Sequence, residues 1–244
     1  MAYAQSRMDP SETTTESGNA DLDGIGQAPS SVSPLAWRLW LGVELGVVFI
    51  ALPTAFRLGL IQIPLIAAIG LLGVTAAIVL LVDHEFDRAS IWRLSPIKRE
   101  APRIALIFLT TCVIGTAAVL VLLPERFLAF PRSSPGWWAM VMMLYPIFSA
   151  LPQEIVFRGF FFHRYRPLFR APWAMIIAGA LVFGYVHIVM GNALAIGLSA
   201  IGGVLFGWTY LRTKSIPAAT VEHALYGCFI FTVGLGRFFF HAPG

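Results

Sequence analysis

From Ala36 onward the chain is a series of long apolar runs, broken by short clusters of Arg, Lys, Gly and Pro. Leu58 to Val82, Ile104 to Leu123 and Ser133 to Gln153 carry no charged side chain. Each is long enough to cross roughly 30 Å of hydrocarbon at about 1.5 Å per helical residue, so each predicts a transmembrane helix. A first span, about Ala36 to Phe56, is predominantly apolar although it holds Arg38 and Glu44. Between Arg170 and Arg212 the only charged or imidazole side chain is His187. That stretch is about twice the length one crossing needs, and Gly191-Asn192 is the natural turn that divides it. A last span, about Ser215 to Leu235, contains Glu222 and His223.

The expected count is therefore about seven helices. Backbone polar groups in lipid must be satisfied within the spanning structure, which leaves helices or a closed barrel, and continuous apolarity excludes the alternating barrel pattern. The predicted fold class is all-α, a polytopic transmembrane helical bundle. Residues 1–33 are rich in Ser, Thr, Gly and acidic residues without an apolar run, and are expected to form a disordered cytoplasmic tail. They lack a signal-peptide pattern and are expected to be kept. Residues 34–244 then form the transmembrane domain.

Composition agrees: 57% of the 244 residues are hydrophobic and 12% charged, too few to keep a soluble globule wet. Cys112 and Cys228 both lie in apolar runs, which excludes a disulfide scaffold. The net charge of +4 does not call for nucleic acid, because the basic residues are sorted by loop. Alternating crossings give one side Arg7, Arg38, Arg88, Arg93, Lys98, Arg99, Arg103, Arg164, Arg166, Arg170, Arg212 and Lys214. The other side receives Arg57, Arg126, Arg132 and Arg237, so the amino terminus is expected in the cytoplasm and the tail His241 to Gly244 outside.

Ionisable groups at bilayer depth are costly and usually face the bundle interior with a purpose. Six occur here: Glu44, Glu154, Arg158, His187, Glu222 and His223. Glu154 and Arg158 are four apart and share a helical face as an ion pair, structural or functional. Just before them, Pro152 frees a backbone carbonyl. A carboxylate with two imidazoles can move protons or polarise water. Glu44 has no motif partner and reads as an interhelical hydrogen bonder. Measured from the nearest basic loops, Glu154, His223 and His187 lie roughly 15, 12 and 21 Å along their helices, so a common site is permitted by tilt.

The segment Gln153-Glu154-Ile155-Val156-Phe157-Arg158, then Phe183 with His187 four residues on, then His223 on the last helix, resembles the three signatures of the CPBP intramembrane glutamic endopeptidases. These include the CAAX prenyl proteases and bacteriocin-processing relatives. The match covers about residues 137–238. The resemblance implies a polar cavity near the cytoplasmic face of a bacterial membrane, without metal or other cofactor, acting on a peptide or protein with or without a lipid modification. In the family pattern a first glutamate and the second-motif histidine activate water, while the last histidine and an asparagine one turn on stabilise the oxyanion. By that correspondence Glu154, Arg158, His187 and His223 are the catalytic set, with Gln153, Phe183, Glu222 and Gly227 as supporting positions.

Two positions depart from the pattern. Gln153 stands where the first glutamate is expected and cannot accept a proton. Glu154 lies about 100° further around the helix, so it cannot take over without a local distortion. Gly227 stands where the asparagine is expected and has no amide to donate. Glu222, beside His223, is a further carboxylate able to act as base or to orient the imidazole. Three alternatives remain open from the sequence. One is a catalytically silent relative binding a peptide or partner protein. Another is a zinc peptidase using Glu154, His187 and His223, although no HExxH pair is present. The third is a proton-coupled transporter, although no repeat of the hydropathy pattern is visible.

Overall fold

A computed structural model describes residues 33–240, and every regular element among them is helical. Seven helices are long and apolar enough to span a membrane: α1 (Pro34–Arg57), α2 (Leu65–Val82), α3 (Ser95–Leu122), α4 (Pro135–Arg164), α5 (Pro172–Met190), α6 (Ala193–Thr213) and α7 (Ile216–Val233). The expected tail lies outside the described residues apart from Ser33, as do His241 to Gly244.

Local chemistry sets the helix starts. Ser33 and Ser215 accept hydrogen bonds from Ala36 N and Ala218 N at 3.2 and 3.1 Å, with prolines at the first turn of α1 and α7. The Gly191-Asn192 turn works in the same way. Gly191 adopts φ +71°, a left-handed conformation that a side chain would strain, and Asn192 Oδ1 caps Ala195 N at 2.9 Å.

Two helices exceed their apolar runs. α3 begins at Ser95, nine residues before Ile104, and brings in Lys98, Arg99, Glu100 and Arg103. α4 continues past Gln153 to Arg164, which places Glu154 and Arg158 inside a continuous span. Neither extension is visible from hydropathy, because the charged residues are satisfied by partners both along their own helices and on other helices. Glu100 is 1% exposed and faces Arg103 at 3.0 Å and Arg212 at 3.2 Å, tying α3 to α6. Glu44 accepts from Arg164 at 3.0 and 2.7 Å and from the Tyr165 hydroxyl at 3.1 Å, tying α1 to the end of α4.

In lipid the helices gain little from hydrophobic association, so close backbone approach matters more. α5 and α6 meet through small residues: a Cβ on Gly184 would run into Ala200, and one on Gly203 into Ala180. Gly73 of α2 likewise lies against Pro152 of α4. The outer faces carry large exposed apolar side chains such as Val43, Val74, Leu106, Val113 and Leu181, as a lipid-facing surface requires.

Candidate active site

α4 is not a uniform helix. Pro146 and Pro152 each remove a backbone donor, and the chain answers with two wide turns, Pro146–Ala150 and Ile155–Phe160, on either side of Leu151–Glu154. Leu151 N and Phe161 N bond five residues back, to Pro146 O and Val156 O. Such π-turns recur at functional sites, where they re-aim side chains. The distortion that Pro152 suggested is thus present, yet it leaves Gln153 and Glu154 on different faces. Gln153 lines a cavity of about 1580 Å³, whereas Glu154 points behind the cavity wall and is fully buried.

Glu154 holds two partners. Its Oε1 lies 2.8 Å from His223 Nδ1 and its Oε2 3.1 Å from Arg158 Nε. Arg158, 1% exposed, also donates from Nη2 to Gly203 O at 3.2 Å. Its guanidinium carbon lies 5.0 and 5.4 Å from the ring centroids of Phe183 and Phe206. A buried guanidinium is tolerable only with such compensation, an ion pair plus aromatic faces.

His223 is gripped from every side. Phe206 stacks on it at 4.7 Å and 14°, and Phe183 meets it edge-on at 5.5 Å. With Nδ1 on Glu154, its Nε2 points to the Tyr145 hydroxyl, 3.1 Å away. His187 sits on the opposite side of the cavity's polar corner. Its Nδ1 is 2.7 Å from Phe183 O, and because a carbonyl only accepts, Nδ1 carries the proton. Nε2 is the ring's other nitrogen, and His187 is among the residues that line the cavity. Phe183, whose centroid is 5.0 Å from that of His187, touches both imidazoles and fixes their spacing.

The structure thus joins Glu154, Arg158, His223 and Phe183 directly, brings His187 to the same aromatic wall, and places Gln153 and Gly227 in the same cavity lining. Glu222 is elsewhere. It accepts from the Thr209 hydroxyl, which in turn accepts from Arg103, and Arg103 Nη1 stands 3.7 Å from its other oxygen. It neither lines the cavity nor bonds His223. Among the described residues no group of three His, Cys, Asp or Glu is arranged to hold a metal ion.

Tyr145 and Ser149 escape a reading based on charge. With Gln153 they form a polar stripe at four-residue spacing along one face of α4, all lining the cavity. Gln153 Nε2 donates to Ser149 Oγ at 2.9 Å and Ser149 O at 3.0 Å, leaving Oε1 as its acceptor. That spacing of polar residues within an apolar run was the available signal.

The cavity's position also differs from expectation. Its wall draws on Phe56, Ile63, Met140, His187, Ile230 and Leu235, all toward the loops after α1, α3, α5 and α7. None of residues 83–110, 158–182 or 207–222, which flank the basic loops, contributes to it. The cavity therefore opens away from the basic loops rather than beside them. His187 shows why: it lies four residues before Gly191, about 6 Å along the helix from that far-side turn.

The seven apolar helices make the chain an integral membrane protein, and a carboxylate, a guanidinium and two imidazoles gather in their midst. Residues 135–229 match the family described as type II CAAX prenyl endopeptidase Rce1-like, and this domain is consistent with the CPBP family. That family is one of proteases acting on peptide or protein substrates in the membrane. No curated protein and no solved structure matches the chain.

Proposed function

We propose that this chain is an intramembrane endopeptidase that hydrolyses a peptide bond inside the cavity, with water activated at His187 and the developing oxyanion held by His223. The observation that carries the proposal is the pair of imidazoles that both meet Phe183, at 5.0 and 5.5 Å. His187 has Nδ1 tied to a carbonyl, while His223 has Nδ1 tied to the Glu154 carboxylate.

In this reading a water lies between Gln153 Oε1 and His187 Nε2. It attacks the carbonyl carbon while Nε2 takes its proton, the carbonyl oxygen becomes negative, and the C–N bond then breaks as His187 returns the proton to the leaving amine. Glu154 and Arg158 are positioning residues: the carboxylate holds the His223 ring in one orientation, and Arg158 holds the carboxylate. The reaction needs no metal. The substrate is a peptide or protein, with or without a lipid modification, whose apolar part suits the largely apolar wall.

With the basic loops and amino terminus in the cytoplasm, cleavage falls in the opposite leaflet and not at the cytoplasmic face that the family resemblance suggested. Cysteines placed at Ile63 and Arg166 test this: an impermeant thiol reagent on intact cells should label the first only, and the reverse pattern would refute it. Turnover is tested with purified protein in lipid nanodiscs and a quenched fluorescent peptide library. Cleavage lost on His187→Ala and on His223→Ala, with insertion unchanged, is the expected result; undiminished cleavage by both variants would refute the assignment. A second reading, a silent relative that binds peptide in the same cavity, is favoured by the amide at Gln153, and peptide binding without turnover by the unmodified protein would establish it instead.

A further inference from the structure

Gly227 lies on α7 one turn after His223, where the family pattern places the oxyanion asparagine. The position is not empty in space. A Cβ there would collide with the ring and hydroxyl of Tyr145, so nothing larger than hydrogen is compatible with Tyr145 as it stands. The phenol reaches this spot from a different helix, α4. It is held edge-on to His223 at a centroid distance of 6.0 Å and against Phe231 at 5.7 Å. Its hydroxyl, 3.1 Å from His223 Nε2, belongs to the cavity wall. A glycine on one helix and a tyrosine on another thus together fill the volume of one side chain, and the group delivered there is again a hydrogen-bond donor.

We infer that Tyr145 is a catalytic residue which supplies, through its hydroxyl, the oxyanion hydrogen bond that a side chain at position 227 cannot. This rests on the proteolytic reading above. With His223 neutral, Nδ1–H goes to Glu154 and Nε2 accepts from the Tyr145 O–H. To donate as well, the ring must carry a second proton, taken from solvent before the attack and kept throughout; Nε2–H then no longer competes for the phenol proton. Ring and phenol can then both donate to the negative oxygen formed as the water proton passes to His187. No bond to the phenol breaks: Tyr145 keeps its proton and contributes only an oriented dipole, the kind of fixed donor that stabilises developing charge in a site shielded from water. Gly227 is what allows the exchange, since any side chain there would push the phenol off His223.

The test compares the purified unmodified protein with Tyr145→Phe, and Tyr145→Ala with the double variant Tyr145→Ala/Gly227→Asn. Loss of one oxyanion donor lowers kcat on the order of 100-fold in other enzymes, so Tyr145→Phe should fall by about that factor with KM changed little. The phenyl ring keeps the packing against Phe231, and thermal unfolding in detergent checks that it does. The double variant returns an amide donor to the vacated space and should recover at least about tenfold over Tyr145→Ala. This rescue would not follow if Tyr145 were only a packing residue, and it stands even if the Phe variant proves unstable. An active unmodified protein with Tyr145→Phe as fast or faster would overturn the inference alone, marking the hydroxyl as a spectator or as a lock on His223. No turnover by the unmodified protein would overturn the proteolytic reading and the donor role together.

Discussion

Replacing Glu154 separates what the buried carboxylate does for the fold from what it does for chemistry. It is fully buried and holds Arg158 at 3.1 Å and His223 at 2.8 Å. In Glu154→Ala the Arg158 charge, 1% exposed, is left with one carbonyl at 3.2 Å and two phenyl faces. Breaking a buried pair in this way costs about 3–5 kcal/mol, so this variant should unfold markedly earlier on heating. Glu154→Gln keeps an acceptor oxygen for His223 Nδ1–H in the same space and loses only the charge. Its stability loss should be about 1–3 kcal/mol, the difference between charged and neutral hydrogen bonds to both partners. Activity should respond the other way round in proportion. An amide, unlike a carboxylate, can also donate to Nδ1, so the tautomer of His223 is no longer dictated. Where a carboxylate behind a catalytic histidine has been neutralised elsewhere, kcat has fallen about 10⁴-fold, and a loss on the order of 10³-fold or more is expected here. Thermal unfolding in detergent and peptide cleavage in nanodiscs give the two numbers. Glu154→Gln cleaving within twofold of the unmodified protein would show that His223 does not depend on the carboxylate. A Glu154→Ala variant of unchanged stability would show that Arg158 is satisfied without it.

Further outcomes follow from other contacts. Gln153→Glu restores an acid on the cavity wall beside Ser149 and should raise the cleavage rate about tenfold or more if base strength limits it, as steady-state kinetics would show. Glu100→Ala removes the centre of the Arg103 and Arg212 cluster; because Arg212 is half exposed the loss should be nearer about 2 kcal/mol, seen in thermal unfolding with little change in the catalytic residues' chemistry. Gly73→Val drives a side chain into Pro152 next to Gln153 and should cost about 1–3 kcal/mol and reduce activity, measured on the same preparation. Asp83, just past α2, lies 2.8 Å from His163 of α4. Burial pushes its carboxyl up, but the hydrogen bonds from His163 and the Glu85 amide more than reverse this and hold it below the usual carboxylate range. Its contribution is fully present above about pH 4 and lost as the pH falls through the depressed value. The effect is modest because the side chain is 38% exposed, and Asp83→Asn should flatten the acid limb of a stability–pH curve.

Much of the architecture is legible in one dimension, since a run that must cross hydrocarbon has almost no freedom of composition. The turn at Gly191-Asn192 was equally readable, whereas the caps Ser33 and Ser215 emerged only with the structure. The charged ends of α3 and α4 were not readable either, because Glu100 of α3 meets Arg212 and Arg164 of α4 meets Glu44, partners from distant parts of the sequence. For the site, residue types and order pointed to Glu154, Arg158, His187 and His223 as a set. Which carboxylate faces which imidazole was beyond that reading: Glu222 is next to His223 in sequence and engaged with Thr209, while Glu154, 69 residues away, is its actual partner.

The sequence by itself determined a seven-helix membrane protein with a protease-like set of polar residues, because lipid penalises every polar atom and so makes the exceptions conspicuous. Only the tertiary structure decided that Gln153 and not Glu154 meets the cavity, that the cavity opens away from the basic loops, and that Tyr145 fills the space beside Gly227. Those outcomes depend on how helices rotate and tilt against one another, and a rotation of about 100° between neighbouring residues leaves no trace in hydropathy.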